Sequence, residues 1–374
     1  MATEDTPSWA PVESTVLGRQ GTDVLNTPEP NATAVDLFAG AGGATQGLRD
    51  AGFDVIGAVE FDSTAAESYR LNHPSVRLWE TDIRRIPATS IARELSLEPG
   101  QLTLLKACPP CQGFSTLAGK HKNGDDPRNE LVGHTVRFVR ALRPKGVLLE
   151  NVPGLGRDRR SSELLDELRK LGYAARLYQV NATQFGVPQR RKRIIILGLR
   201  GLRSNLPAEL TELELDTPVT VRKAFEELQE KGLCGDPLNV VQTPKDAILE
   251  RIKAVPIGGN RFDLPDHLQL DCHKRLTARG LKSAGGSYGR MLWDAPSPTM
   301  TTRCTTPACG SFIHPEEDRA ITLREAAALQ TFPHDYKFAG SRGDIERQIG
   351  NAVPVKMAAA IGKSVLRALR HPSN

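Results

Sequence analysis

A cysteine on a short, proline-bounded loop is the residue best suited to covalent chemistry in this chain. Cys111 follows Pro109-Pro110 and an apolar run, Leu102 to Leu105, that has the pattern of a buried strand. The prolines have no amide hydrogen to donate, so neither a strand ladder nor a helix continues through them. A thiolate held rigidly beyond a strand end is a good nucleophile toward an electron-poor carbon. Cys108 and Cys111 also form a C-x-x-C pair, so a redox pair or half of a zinc site is the alternative.

Two other stretches carry side chains that could assist a nucleophile. Glu150 follows the apolar run Gly146 to Leu149, and burial at a strand end favours the protonated carboxyl, which can donate a proton. The basic run Gln189 to Arg193 precedes another apolar stretch. Strand alternation places Arg191 and Arg193 on one face, where they need an anion or an acceptor. A solvated charge is the alternative interpretation of each stretch.

A glycine-rich turn near the start of the chain has the pattern of a nucleotide site. The stretch Asp36 to Gly43 follows a predicted strand and precedes a predicted helix. Glycines permit a tight turn and close approach of the backbone to a ligand. The dinucleotide fingerprint requires a third glycine where Thr45 stands, which disfavours a nicotinamide cofactor. Glu60, at the predicted end of the second strand, could accept hydrogen bonds from ribose hydroxyls.

Taken together and in their chain order, these motifs resemble those of the DNA cytosine-5 methyltransferases of bacteria, which use S-adenosylmethionine (SAM). The resemblance extends from Ala34 to Leu369 and is carried by the motifs Pro109-Pro110-Cys111-Gln112, Glu150-Asn151-Val152, Gln189–Arg193 and Gln348–Pro354. It implies methyl transfer to C5 of a flipped-out cytosine in a specific double-stranded DNA sequence, through a covalent bond between Cys111 and C6. The same chemistry on transfer RNA, and a DNA-binding module without activity, remain open.

The resemblance also assigns roles to residues. Cys111 is the expected nucleophile, Glu150 the donor to cytosine N3, Arg191 the contact to cytosine O2, and Arg193 a support for the site. The residues expected to bind SAM are Asp36, Phe38, Gly40, Gly42, Gly43, Glu60, Asp82, Ile83, Pro110, Asn351 and Val353. Among them, Phe38 is expected to pack on the adenine and Asp82 to accept from its amino group. By sequence alone, Asn351 is equally plausible as a helix N-cap.

DNA contacts are expected from two regions. A polar, glycine-containing loop directly after Cys111 has the composition of a lid that closes over substrate. A later stretch rich in threonine and arginine could contact phosphates and base edges. The residues expected to contact DNA are Gln112, Ser115, Arg128, Arg290, Thr301, Thr302 and Arg303. No metal site is expected.

The order of strand-like and helix-like stretches predicts an α/β fold with a mostly parallel sheet flanked by helices. The resemblance specifies a Rossmann-like methyltransferase fold with an inserted, loop-rich target recognition domain. Residues 1–31 are predicted to be a disordered leader, residues 32–204 and 321–374 the catalytic domain, and residues 205–320 the recognition domain of loops and short strands.

Composition restricts the partners and the setting. The 374 residues carry a formal net charge of +5, which is compatible with a nucleic-acid partner. No apolar run approaches the roughly 20 residues of a membrane span, and the start of the chain lacks the pattern of a secretory signal. We therefore expect a cytoplasmic, nucleoid-associated monomer. A restriction endonuclease that acts on the same DNA site is a possible partner.

Overall fold

A seven-stranded sheet forms the centre of the protein. The computed structural model describes residues 32–110, 130–201, 206–211, 217–280 and 284–370. The strands are β1 (Thr33–Leu37), β2 (Asp54–Glu60), β3 (Arg77–Glu80), β4 (Leu104–Ala107), β5 (Gly146–Asn151), β6 (Tyr173–Asn181) and β7 (Lys192–Arg200). Their order in the sheet is β3-β2-β1-β4-β5-β7-β6, and β7 is antiparallel to both of its neighbours. The predicted mostly parallel sheet is confirmed.

Helices cover both faces of this sheet. The helices are α1 (Gly43–Asp50), α2 (Ser63–Asn72), α3 (Ala88–Glu94), α4 (Leu131–Leu142), α5 (Arg159–Lys170), α6 (Val221–Glu230), α7 (Asp246–Ala254), α8 (Asp271–Ala278), α9 (Leu323–Leu329), α10 (Arg342–Asn351) and α11 (Val355–Arg370). On one face, α1 and α11 contribute Leu48 and Val365 to a core cluster. On the other, Ile91, Phe138 and Leu164 of α3, α4 and α5 form a second cluster. No helix within the described ranges is long and apolar enough to cross a membrane.

Local sequence signals account for several helix boundaries. α4 begins at Leu131 and ends at Leu142, as its apolar spacing predicts. α9 begins with a capping box, for which the sequence Thr322-Leu323-Arg324-Glu325 has the typical pattern: the Thr322 side chain accepts from the Glu325 amide, and the Glu325 side chain accepts from the Thr322 amide. α10 ends at Asn351, so this residue does not cap the start of a helix.

The region between β7 and α9 differs from the prediction in its secondary structure. Of its described residues, those in regular structure form the helices α6, α7 and α8, and β pairing is limited to isolated bridges such as Arg290 to Ile313. The expectation of short strands there is therefore wrong. The amphipathic spacing of Val221, Ala224, Phe225 and Leu228, all buried, explains why α6 forms.

The topology places two loops at the same edge of the sheet. β4 is the middle strand, and the chain order reverses between β1 and β4. The carboxyl ends of both strands thus face one crevice, where open α/β sheets bind ligands. The glycine-rich turn follows β1, and Cys108-Pro109-Pro110 follows β4.

Candidate active site

The loop that leads to Cys111 is fixed by its neighbouring strand. β4 and β5 are parallel, with Ala107 opposite Leu149, so Cys108 leaves β4 beside the carboxyl end of β5. The Asn151 side chain donates to the Pro109 carbonyl oxygen over 2.9 Å. This bond holds Pro109, at the start of the loop that leads to Cys111, against the strand that carries Glu150. Cys111 itself lies outside the described residues.

Glu150 contacts one of the two predicted arginines. Its Oε1 lies 2.8 Å from Nε of Arg193, and the two side chains are 12% and 11% exposed. This is a close ion pair, but Oε1 receives no well-directed hydrogen bond from any described residue. A buried carboxylate oxygen without a directed donor is uncommon and typical of a functional site. Glu150 and Arg193 can therefore engage a third group.

Arg191 has a different position from the one the sequence suggests. It is 2% exposed, and its two terminal nitrogens donate to the carbonyl oxygens of Met300 and Gly350, each over 3.1 Å. Burial, together with the nearby Arg193 charge, lowers the pKa of the Arg191 guanidinium. Arg191 thus joins the segment before Thr301 to the end of α10. Of the two arginines, Arg193 contacts the Glu150 carboxylate, whereas Arg191 is bonded to backbone carbonyl groups.

A buried lysine that no motif suggested lies beside this site. Lys106 Nζ is 2.7 Å from Oδ1 of Asp36, and both side chains are almost fully buried. Although burial opposes it, the neighbouring Asp36 raises the pKa of the Lys106 ammonium above its usual value. Strand alternation puts Asp36, Lys106, Glu150 and Arg193 on the same face of β1, β4, β5 and β7. Four adjacent strands therefore present charges of alternating sign.

Asp36, which was predicted to contact the cofactor, is instead bonded to side chains within the protein. Its second oxygen accepts from the Thr45 hydroxyl over 2.8 Å, and the residue is inaccessible to solvent. Thr45, which stands where a dinucleotide site has its third glycine, thereby ties α1 to β1. Desolvation raises the pKa of the adjacent Cys108 thiol to about 12, so this cysteine remains protonated.

The glycine-rich turn is anchored to Glu60. Oε2 of Glu60 accepts from the Gly40 amide over 2.7 Å, and Oε1 accepts from the amides of Phe61 and Asp62. Burial raises the pKa of the Glu60 carboxyl, against the lowering effect of these amides. A Cβ built at Gly40 would meet no atom within 4 Å, so the turn is open to a ligand at this point. Phe38 adopts a positive φ of 60° at the start of the turn, a strained conformation typical of functional sites.

Sequence reasoning missed Phe61, the residue directly after Glu60. Its side chain is 72% exposed, the largest exposure among the large hydrophobic side chains in the described part of the chain. An aromatic ring in solvent beside a carboxylate and an open glycine turn suits the two ends of an adenosine, the flat base and the ribose hydroxyls. The sequence signal that could have identified Phe61 is an aromatic residue directly after Glu60, the acidic residue at the end of β2.

The remaining residues that were predicted to bind the cofactor differ in their surroundings: some are buried, some are exposed, and Asp82 is ion-paired. Asp82 is held by Arg84, which donates to both carboxylate oxygens and lowers the pKa of Asp82 to about 2. Ile83 is buried in the core. Val353 is buried, with its carbonyl oxygen close to Gly43, whereas Asn351 is exposed. Gly42 and the exposed Pro110 lie on the loops at the crevice, and Gly43 is the first residue of α1.

The predicted DNA contacts divide into three groups. Gln112, Ser115 and Arg128 lie outside the described residues. Thr302 and Arg303 are exposed and Thr301 is half-buried; this segment packs directly on Gly350, where an added Cβ would overlap the Thr301 carbonyl. Arg290 is 6% exposed. All five of its N–H groups are used within the chain: Nε donates to Val255, and the terminal nitrogens donate to Ile252, His314, Glu317 and Asp318. We therefore withdraw Arg290 from the candidate DNA contacts.

The residues at this edge fit SAM as a cofactor. Glu60 offers a carboxylate for the ribose, Phe61 an exposed ring for the adenine, and Gly40 an open backbone. When bound, SAM supplies an electrophilic methyl group on a sulfonium.

Comparison with known proteins agrees with this arrangement. The family model for C-5 cytosine-specific DNA methylases matches residues 32–367. The chain is 35% identical to the Type II methylase M.HgiDII of Herpetosiphon aurantiacus, over 90% of this chain and 95% of that protein. It is 36% identical to the Type II methyltransferase M.PspPI of Psychrobacter sp. strain TA137, over 91% and 80% of the two chains. A solved structure of a protein proposed to be a DNA modification methyltransferase, encoded within an E. coli prophage, superposes with a TM-score of 0.64 at 26% identity, covering 90% of this chain and 99% of that one.

These matches span nearly the whole described chain, and they include the strands that carry the carboxylate, the glycine turn and the approach to Cys111. The protein belongs to the C-5 cytosine-specific DNA methylases, a family of cytosine-5 methyltransferases that take the methyl group from SAM.

Proposed function

We propose that this enzyme methylates C5 of a cytosine flipped out of a specific duplex DNA sequence, through a transient bond between Cys111 and C6. The observation that carries the proposal is the meeting of two adjacent strand ends. β4 delivers the approach to Cys111, and β5 delivers Glu150, with Asn151 bonded to Pro109 between them. A nucleophile and a proton donor at the ends of neighbouring strands can contact the same pyrimidine ring.

The reaction needs activation because cytosine C5 is a poor nucleophile. The Cys111 thiolate adds to C6, forming a C–S bond and placing electron density on C5. C5 would then attack the methyl group that bound SAM would supply, and S-adenosylhomocysteine would be the leaving group. Loss of the C5 proton to a base and elimination of the thiolate restore the aromatic ring and the enzyme.

Glu150 and Arg193 would polarise the ring during the addition step. When cytosine binds, Glu150 takes up a proton and donates a hydrogen bond to N3, which draws electrons from C6. Arg193, held 2.8 Å from Glu150 Oε1, donates to O2 in place of Arg191. The undirected Glu150 oxygen supports this role, because a bound cytosine would supply its missing hydrogen-bond partner.

DNA must open for this chemistry, because the target carbon is inaccessible inside a duplex. Flipping the base costs on the order of a few kcal/mol, which contacts to the DNA must offset. We assign such contacts to Thr301, Thr302 and Arg303 and to the loop after Cys111. Arg303 suits a phosphate or a guanine edge, and its exposure supports this assignment.

The names of the relatives suggest the biological setting. Both are Type II methylases, so we propose that this enzyme protects its recognition sequence from a restriction endonuclease of the same specificity. Bisulfite sequencing of DNA from a host expressing the enzyme tests the activity and gives the sequence context. We expect the target cytosine of one short DNA motif to resist bisulfite conversion completely, and the Cys111→Ser variant to abolish this resistance. Methylated transfer RNA with unmodified DNA would favour the RNA substrate, and binding without methylation would favour the inactive module.

A further inference from the structure

Two buried polar residues hold the cofactor turn from behind, and no sequence motif pointed to them. The Tyr336 hydroxyl donates to the Ala41 carbonyl oxygen over 2.6 Å, and His73 Nε2 lies 3.3 Å from the Gly42 carbonyl oxygen. The two side chains are 3% and 1% exposed. On the other side of the turn, Glu60 accepts from the Gly40 amide. Three consecutive residues of the turn are therefore each fixed by a side chain.

The hydrogen-bond directions in this cluster determine the tautomer of His73. The Tyr336 hydroxyl has one hydrogen, and it is used on Ala41. His73 Nε2 must therefore carry a hydrogen, which it shares between the Tyr336 oxygen at 3.0 Å and the Gly42 carbonyl oxygen at 3.3 Å. The opposite ring nitrogen, Nδ1, then accepts from Arg49 at 3.5 Å, the outer limit of a hydrogen bond. Donation runs in one direction, from Arg49 through His73 and Tyr336 to the turn.

The turn packs tightly against His73 and Tyr336. Gly42 has a φ of +94°, and a Cβ added to it would lie 2.7 Å from the His73 ring and 2.8 Å from the Tyr336 hydroxyl. Contacts this close exclude even a methyl group. The backbone of the turn consequently takes its position directly from these two side chains.

Both supporting side chains are themselves anchored. The backbone oxygen of Tyr336 accepts from Arg324 over 3.0 Å, and its ring packs 4.7 Å from the Phe332 ring. His73 directly follows α2, and its amide donates to the Tyr69 carbonyl over 2.8 Å. The support thus connects the turn to α2 and to the segment after α9, far apart in the chain.

We propose that Tyr336 and His73 are positioning residues that set the affinity for SAM by fixing the carbonyl groups of Ala41 and Gly42. A turn that loses these bonds must be ordered when the cofactor binds, which weakens binding. Neither residue lies on the loops that carry Cys111 and Glu150. Methyl transfer at saturating SAM should therefore be unaffected. The inference rests on SAM being the cofactor of this family and is independent of the covalent mechanism.

Isothermal titration with S-adenosylhomocysteine tests this inference without methyl transfer. Tyr336→Phe removes only the hydroxyl, and we expect its Kd to rise about tenfold, the effect of losing one hydrogen bond. Tyr173→Phe is the matched control. Tyr173 is 4% exposed and donates to the Pro144 carbonyl over 2.7 Å, a bond of the same type away from the turn. Its Kd should remain that of the wild type.

A pair of variants at His73 gives a second, independent test. In His73→Gln the side-chain amide can replace the Nε2 donor, whereas His73→Met fills the space without one. We expect glutamine to keep affinity within about threefold and methionine to lose it about tenfold. The rate at saturating SAM should stay within about twofold for all four variants.

Two results would overturn the inference. One is wild-type affinity in both Tyr336→Phe and His73→Met. The other is an equal loss in Tyr336→Phe and Tyr173→Phe, which would indicate general destabilisation. If Tyr336→Phe does not fold, the comparison of glutamine with methionine at position 73 decides the question.

Discussion

Lys106 and Asp36 form a buried ion pair, Nζ to Oδ1 at 2.7 Å, on neighbouring strands between the glycine-rich turn and the Glu150 carboxylate. Because both side chains are almost completely buried, water does not stabilise either charge, and each is stabilised by the other. Lys106→Met should leave an unpaired buried carboxylate and lower the free energy of unfolding by about 3–5 kcal/mol. The double variant Asp36→Asn/Lys106→Met should recover more than half of that loss. Denaturant unfolding measures both.

An exposed ion pair provides the control for this prediction. Arg159 and Glu163 on α5 are 2.8 Å apart, with side chains 73% and 57% exposed. Removing Arg159 should cost less than about 1 kcal/mol because solvent screens the pair. A Lys106→Met variant that is no less stable than Arg159→Ala would show that the buried pair contributes nothing.

The two arginines of the basic run should differ in what their loss affects. Arg193→Met should lower the single-turnover methylation rate by roughly 10²–10³, because the partner of Glu150 is lost, with little change in stability. Arg191→Met should instead lower the free energy of unfolding by about 2–4 kcal/mol, since the carbonyls of Met300 and Gly350 lose a buried donor. Rapid-quench kinetics and denaturant unfolding together separate the two effects. The opposite pattern would restore the roles that strand alternation suggested.

Phe61 should matter for cofactor affinity and not for folding. If the exposed Phe61 ring stacks on the adenine, as we propose, Phe61→Ala should weaken S-adenosylhomocysteine binding about tenfold. Its stability should stay within about 0.5 kcal/mol of the wild type. Leu71→Ala, at a side chain that is 48% exposed, is the control for trimming an exposed apolar residue. Unchanged affinity in Phe61→Ala would remove this residue from the cofactor site.

The pH dependence of stability should contain a contribution from His73. Burial, reinforced by Arg49, lowers the pKa of His73 from 6.5 to about 4. Between these values the unfolded chain binds more protons than the folded one, so stability increases with pH in this window and is lost as pH falls toward 4. The full contribution is on the order of 3 kcal/mol.

The His73→Gln variant isolates this contribution because glutamine does not titrate. Denaturant unfolding at pH 4.5 and pH 7 should show a smaller pH dependence in the variant than in the wild type. Carboxylates elsewhere affect both proteins equally and cancel in the comparison. Identical pH profiles would contradict the assignment of a neutral, buried imidazole.

The sequence was informative where local patterns decide structure. Apolar runs followed by chemistry-bearing residues placed Glu150 at the end of β5 and Glu60 at the end of β2, because buried strands end where polar groups reach solvent. The apolar spacing of α4 and the capping box of α9 located these helices for the same local reason.

Contacts between distant segments could not be obtained in this way. Strand alternation predicted one face for Arg191 and Arg193 but could not give their partners, which come from β5, from the segment ending at Met300 and from α10. The burial of Lys106 depends on Asp36, 70 residues earlier, and Tyr336 reaches Ala41 across 295 residues. The helices between β7 and α9 were missed because prolines and glycines obscured their short amphipathic stretches.

The covalent step is tested most directly by trapping the enzyme on its substrate. Once bisulfite sequencing has given the recognition sequence, a duplex with 5-fluorocytosine at the target position is incubated with enzyme and SAM. Fluorine cannot leave C5 as a proton does, so elimination of the thiolate is blocked after methyl transfer. We predict a denaturation-resistant enzyme–DNA adduct that peptide mapping assigns to Cys111 and that Cys111→Ser abolishes. Turnover of the normal duplex with no adduct on the fluorinated one, or an adduct at another residue, would contradict the proposed mechanism.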